Sequence, residues 1–306
     1  MKFTKMQGCG NDYIYIDSAK EHIAAQDRPA LTRRLSDRHF GIGGDGVIFI
    51  NPAPADAPDV DFEMEMYNAD GSRSEMCGNG IRCVGAYVYE HGLTDSTKLT
   101  IISAGARKYL TLEADETDGS RHVHSVTVDM GAPVLDPVRI PLRPELLPLG
   151  SSQMNGMTVA DLPDMNPAGV EFSGLPDVYC ARIVSMGNPH AVVVLPADVD
   201  LAAFPLAQIG PHFESHPAFP NRTNTEFVHI DSRSEVHMRV WERGTGETLA
   251  CGTGCCAITT ACALAGLTDD RITVHVLGGE IVCRYDRVAD RILMTGPAVT
   301  VFEGTV

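Results

Sequence analysis

A chain of 306 residues can hold one large domain or two of ordinary size, and 44% hydrophobic with 21% charged residues is the balance of a globular protein. Its formal net charge of −16 argues against nucleic acid, which needs a basic face, and against an anionic membrane surface. Nine cysteines, in a chain that opens MKFTKMQGCGND with no apolar signal segment and lacks a bilayer-length apolar run, point to free thiols and a cytoplasmic location.

The first predicted strand is the apolar run 13–16, entered through Met6–Gln7–Gly8–Cys9–Gly10–Asn11. Phe62, Met64 and Met66 alternate with polar residues ahead of Tyr67, which predicts a strand with one buried face. A C-G-x-G motif follows at 77–80. Residues 81–90 then predict a helix with Val84, Tyr87 and Val88 on one side, and Gly92 as its terminator. A β-branched run at 99–102 is followed by Gly105. The acidic, glycine-containing stretch 115–120 marks a boundary between 118 and 130, and 141–169, rich in Pro and Met, reads as an insertion or long loop. Strands are expected at 191–195 and around Val236, Met238 and Val240. A second C-G-x-G at 251–254 leads into 255–265, apolar all round and hence a buried helix, and then a strand at 272–276.

These elements repeat. MCGNGIRCVGAYVYEHGL at 76–93 matches ACGTGCCAITTACALAGL at 250–267, an offset of 251 − 77 = 174 that also relates Gly92-Leu93 to Gly266-Leu267. A fainter echo links 6–11 with 186–188. The expected fold is therefore α/β of the α+β type. It has two pseudo-symmetric domains, each a curved, mostly antiparallel sheet or barrel around a central helix, with the active site in the cleft between them. The expected domains are 1–122, to which the terminal strand 296–306 returns, and 123–295.

The motif carries chemistry. Its glycines allow a tight turn, and the first N–H groups of a helix have no intrahelical acceptor, so they suit an anion in the positive end of the helix dipole. A cysteine heading that helix is expected to have its thiolate stabilised below the free value of about 8.5. With two such elements facing each other, the N–H groups of Gly78, Asn79, Gly252 and Thr253 can hold one amino-acid carboxylate. Cys77 and Cys251 then flank its Cα as acid and base, the arrangement for stereoinversion.

Further segments complete a pattern: GCGNDYIYID at 8–17, FGIGGDGV at 40–47, YNADGSRSEMCGNGIRC at 67–83, GNPHAVVV at 187–194, NRTNTEFV at 221–228 and WERGTGETLACGTG at 241–254. Spread over most of the chain and in order, they resemble the diaminopimelate epimerase family, enzymes of lysine and peptidoglycan precursor synthesis that use no pyridoxal cofactor. The resemblance implies interconversion of LL- and meso-diaminopimelate with no cofactor and no metal. It implies that Cys77 and Cys251 are the catalytic pair, that Asn11 lies near the reacting centre, and that His190 and Glu242 serve the catalytic groups. It further implies that Asn68, Asn188, Asn224, Glu242 and Arg243 grip the substrate, with the guanidinium on its distal carboxylate and Glu242 able to take an ammonium. Gly46 departs from the family, some members of which carry a glutamine there. Cys9, Cys255 and Cys256 are extra thiols.

Three rivals are set against this reading. Proline and hydroxyproline racemases of the same fold resemble C-G-H-G where this chain has Cys77-Gly78-Asn79-Gly80, whereas a histidine racemase keeps the asparagine and stays open. A metal-binding or redox protein needs paired cysteines, and Cys251, Cys255 and Cys256 have no partner pair at like spacing. A pyridoxal racemase needs a Schiff-base lysine, and none of Lys2, Lys5, Lys20, Lys98 and Lys108 lies in such a motif. The expected partner is a small amino-acid substrate, without nucleic acid or membrane; the oligomeric state is left open, with a homodimer as one option.

Overall fold

The structure, a computed structural model, describes residues 1–74, 77–117, 119–148 and 151–306. Of the segments read above, Glu75 and Met76 before the first motif, Asp118 at the expected boundary, and Leu149 and Gly150 within 141–169 lie outside the described residues. Two compact units emerge, Met1–Asp129 with Thr295–Val306, and Met130–Met294.

The first unit carries β1 (Lys2–Gly8), β2 (Asn11–Asp17), α1 (Arg28–Ser36), β3 (Gly46–Pro52), β4 (Phe62–Asn68), β5 (Arg73–Ser74), α2 (Gly78–Glu90), β6 (Lys98–Ser103), β7 (Ala106–Thr117) and most of β8 (Ser120–Gly131). The second carries β9 (Ser152–Met154), β10 (Met157–Pro163), β11 (Val178–Ser185), β12 (Pro189–Val194), α3 (Leu206–Glu214), β13 (Asn224–Ile230), β14 (Glu235–Glu242), β15 (Gly246–Glu247), α4 (Gly252–Leu264), β16 (Arg271–Val276), β17 (Gly279–Asp286) and most of β18 (Arg291–Gly296). The chain then returns to the first unit as β19 (Val299–Thr305).

The duplication is visible in the strand pairing. In the first unit β1–β2 is antiparallel, β2–β3 parallel, β3–β4 antiparallel, β4–β6 parallel and β6–β7 antiparallel. In the second unit β11–β12, β12–β13, β13–β14, β14–β16 and β16–β17 repeat that series step for step. The two parallel steps need crossovers, and in both units helices supply them: α1 and α3 at the first, α2 and α4 at the second. At the edges β19 pairs with β1, and β10 with β11, so each sheet is mostly antiparallel.

The second crossover helix of each unit is central. α2 packs against β1, β2, β7 and β19, and α4 against β11, β12, β13, β16 and β17. Burial of α4 on all sides follows from its composition. α2 is buried throughout 78–88 as well, not on one face as its pattern suggested. Even Arg82 is fully buried: its Nε donates to Pro297 O at 3.1 Å while Nη2 lies 3.9 Å from Cys9 Sγ. Ile81, Val84 and Val88 have no exposed surface, and each such side chain contributes roughly 1.5–3 kcal/mol of transfer free energy.

The helix ends match too. Gly92 (φ 67°) and Gly266 (φ 71°) take the left-handed conformation; Gly92 N–H bonds Tyr89 O and Leu93 N–H bonds Val88 O, and Gly266 and Leu267 do the same to Ala263 and Cys262. This is a Schellman cap, and it explains why Gly-Leu closes both repeats.

One expectation needs correction. The stretch 141–169, read as an insertion or long loop, contains β9 and β10: β10 pairs with β11 over six positions, and Ala160, Leu162 and Met165 join a core with Tyr179 and Phe213. Methionine fills irregular gaps, so its presence there marked packing. Thr117 pairs with Ser120 across the β7–β8 hairpin, and the two units divide between Asp129 and Met130.

Candidate active site

In the first unit Cys77 sits at the N-cap of α2 in extended conformation. The N–H of Gly80 donates to its Sγ at 3.3 Å, which occupies one of the helix's leading donors, and that of Ile81 makes the first intrahelical bond to its carbonyl at 3.0 Å. The thiol donates to Asn11 Oδ1 at 3.1 Å. Asn11 is placed by the β1–β2 hairpin, whose two-residue turn, Cys9 (φ 52°) and Gly10 (φ 81°), is of the type whose twist matches the strands. Its Nδ2 donates to Asp45 Oδ2 at 2.7 Å, and Asp45 and Asp12 share Arg38. Burial pushes Asp12 up, but Arg38 and Lys5 outweigh it and hold its carboxyl below the usual range. Asn11 thus braces Cys77 from a charged network.

Asn68 ends β4 directly opposite Gly46, which in turn pairs with Tyr13, and its Nδ2 donates to Ser72 Oγ at 3.1 Å. A Cβ at Gly46 would stand 2.0 Å from Tyr67 O and 2.9 Å from Tyr13 Cε1, so no glutamine fits there without moving the strand. Gly78 and Asn79 form the first turn of α2, with Asn79 buried.

The second unit reproduces this frame with different side chains. Cys251 caps α4 and is 5% exposed, its Sγ 3.5 Å from Thr253 Oγ1. Asn188, the counterpart of Asn11 at the mouth of β12, donates from Nδ2 to Thr253 Oγ1 at 3.4 Å. His190 Nε2 lies 3.0 Å from Asn188 Oδ1, and its Nδ1 lies 2.7 Å from Glu226 Oε1. His190 and Glu226 have no exposed surface. Glu242 ends β14, one residue beyond the Thr225–Trp241 pair and paired with Gly246 of β15, and bonds Thr248 Oγ1. The Asn224 amide is engaged at both ends, donating to Pro189 O at 3.1 Å and accepting from the Arg243 N–H at 2.9 Å. Arg243 Nη1 reaches Asn221 O at 3.2 Å.

The electrostatics of Cys251 reverse the expectation drawn from the helix dipole. Burial, then the charges of Glu242 and Glu226, push its thiol well above the ordinary range, against weaker help from Thr253 and the Gly254 N–H. A helix N-terminus contributes roughly 0.3–2 kcal/mol, whereas full burial can shift a group by about 3–5 pH units. Burial wins. Glu242 is raised in turn by burial and by Glu226, despite its bond to Thr248.

Two residues escaped the sequence reading. Asp45 lay in a quoted motif without a role. Glu226 stood in NRTNTEFV, and a glutamate two residues beyond Asn224, directly before the apolar Phe227 and Val228, was the available signal. The repeat could not expose it, because the corresponding position, two residues beyond Gly46 on β3, is Ile48. The extra thiols Cys255 and Cys256 are fully buried along α4, and Cys9 is buried in its hairpin turn.

A family model described as diaminopimelate epimerase matches residues 3–135 and 182–301. A diaminopimelate epimerase of Agathobacter rectalis is 48% identical over 307 residues, covering 100% of this chain and 99% of the relative. That of Desulfovibrio desulfuricans is 47% identical, covering 99% and 97%, and one from Methanococcus maripaludis is 44% identical, covering 100% and 99%. With 97–99% of each of these three relatives covered, 141–169 adds no length relative to them. Among solved structures, a phenazine biosynthesis protein of the PhzF family from Bacillus anthracis superposes with a TM-score of 0.66 at 15% identity, covering 100% of this chain and 98% of the other. A probable proline racemase from Agrobacterium radiobacter gives 0.63 at 15% identity, covering 100% and 92%. These two share the fold; the full-length sequence matches go further, and the chain belongs to the diaminopimelate epimerase family.

Proposed function

We propose that this chain interconverts LL-2,6-diaminopimelate and meso-diaminopimelate by two-base proton transfer at Cα, without a cofactor. The observation that carries the reading is a cysteine capping the central helix in both halves of a duplicated chain. The thiolate of one cysteine takes the α-proton: the C–H bond breaks, an S–H bond forms, and the electron pair passes into the carboxylate. The thiol of the other delivers its proton to the opposite face, the configuration inverts, and the negative charge has moved from one sulfur to the other. Exchange of the thiol protons with water resets the pair.

The leading N–H groups of α2 and α4, at Gly78, Asn79, Gly252 and Thr253, suit the carboxylate on which that charge develops. Enzymes lower such barriers by roughly 8–23 kcal/mol, of which preorganised donors must supply a large part. Whatever raises the Cys251 thiol also makes its thiolate a stronger base for a weakly acidic carbon. Glu242 suits the substrate ammonium and Arg243 the distal carboxylate. Asn68 and Asn188 complete the polar contacts, and Asn224 braces Arg243 and Pro189. His190 orients Asn188. We further place the enzyme in the cytoplasm, where nine free thiols persist, with a homodimer as the assembly to test.

The test is a substrate panel in D₂O containing LL-diaminopimelate, L-proline, trans-4-hydroxy-L-proline and L-histidine. Deuterium should enter diaminopimelate alone. Label in proline or histidine and none in diaminopimelate overturns the substrate assignment.

A further inference from the structure

The two halves share a frame but not an environment. Behind Cys77, the position two residues beyond Gly46 on β3 is Ile48, and its apolar terminal methyl lies where a Cβ at Gly80 would stand 2.7 Å from it. Behind Cys251, the position two residues beyond Asn224 is Glu226, and a Cβ at Gly254 would stand 2.7 Å from its Oε1. The glycine that closes each C-G-x-G motif therefore admits a methyl group in one half and a carboxylate in the other.

That carboxylate has no exposed surface, and among the described residues its Oε2 has no hydrogen-bond partner. An incompletely satisfied buried carboxyl group is costly, so its retention asks for a reason. From its Oε1 a chain of contacts runs to the sulfur: His190 Nδ1 at 2.7 Å, His190 Nε2 to Asn188 Oδ1 at 3.0 Å, Asn188 Nδ2 to Thr253 Oγ1 at 3.4 Å, and Thr253 Oγ1 to Cys251 Sγ at 3.5 Å. The chain of contacts visits β13, β12, the β11–β12 turn and the first turn of α4.

We propose that Glu226 is a positioning residue that fixes the ring of His190 and, through Asn188 and Thr253, the aim and charge environment of Cys251, so that the two cysteines of the duplicated site differ in character. This rests on the two-cysteine reading above. The other titratable groups around Cys251 are Glu242 from β14, His190 from β12, and Cys256 within α4 itself. Glu226 acts through its neighbours and touches no substrate. Its loss should lower turnover without weakening substrate binding to the same extent.

The test compares wild type with Glu226→Gln and Glu226→Asp by two readouts. The first is the pH dependence of iodoacetamide alkylation at Cys251, followed by peptide mass spectrometry. In Glu226→Gln the alkylation midpoint should fall by about one pH unit, while that of Cys77 stays in place, because one nearby negative charge is gone. The second is turnover: kcat should fall about 10- to 100-fold with KM changed less, and Glu226→Asp should recover part of both. An unchanged Cys251 midpoint overturns the proposal, whether or not thermal stability drops, since a purely structural role leaves the midpoint alone. Because alkylation needs no substrate, a shifted midpoint in an enzyme inactive on diaminopimelate would sink the substrate assignment and leave the role of Glu226 standing.

Discussion

Gly80→Ala and Gly254→Ala make the same change at corresponding helix positions, and the structure assigns them different costs. Alanine is favoured over glycine in a helix by about 1 kcal/mol, and forcing a methyl group into a packed site costs roughly 1–3 kcal/mol. At Gly80 the obstruction is the end of Ile48, at 2.7 Å, so the net loss is roughly 0–2 kcal/mol. At Gly254 the methyl meets Glu226 Oε1 at 2.7 Å and drives it off His190, adding roughly 1.5–3 kcal/mol for a hydrogen bond to a charged group. The expected net loss there is roughly 1.5–5 kcal/mol. Urea unfolding reads both, and Trp241, the single tryptophan, reports the second unit by fluorescence. Gly254→Ala should also lose activity more steeply than Gly80→Ala. Equal stability losses, with activity intact in Gly254→Ala, would refute the account of Glu226 as the group that packs behind the second motif.

Other expectations follow from the same geometry. Gly46→Gln should lower the melting temperature and leave activity no higher, because its Cβ would stand 2.0 Å from Tyr67 O; a stable, more active variant would show that the strand accommodates the side chain. Burial pushes Cys83 up to about 11 and Cys262 up to about 12, and Cys251 is raised well above its ordinary range. Thiols whose folded values exceed the unfolded value of about 8.5 make the folded state bind more protons above that pH, so stability falls as pH rises from there. The urea midpoint should drop between about pH 8 and pH 10, and Cys251→Ala should flatten the slope; an identical slope contradicts the direction given for Cys251. Cys77 is half-buried and Cys251 nearly closed off, so iodoacetamide should modify Cys77 first, which peptide mass spectrometry at partial labelling can check.

Much of this was legible in the sequence because it is local. The C-G-x-G spacing, the Gly-Leu helix ends and the alternation before Tyr67 and Trp241 encode turn, cap and strand within a few residues of themselves. The central helices and the repeated sheet could be read from them. What stayed hidden depends on partners far along the chain. The burial of Arg82 depends on Pro297 and Cys9, far from it along the chain. The stretch 141–169 lacked a clean period because β10 is buried on both faces over 157–160. Glu226 was invisible to a comparison of the halves because Ile48 holds the matching place. The raised Cys251 thiol needed knowledge of burial, which the dipole argument did not contain.

The central claim is that Cys77 and Cys251 act on opposite faces of one carbon. LL-diaminopimelate turned over to low conversion in D₂O tests it most directly, with wild type, Cys77→Ala and Cys251→Ala side by side. In the wild type, deuterium should appear at the inverted Cα of the meso product and stay out of the recovered LL substrate, since the delivered proton comes from a thiol exchanged with solvent. Either alanine variant should stop epimerisation. Full activity in either variant, or a product that keeps the substrate's own hydrogen, would contradict the two-base account.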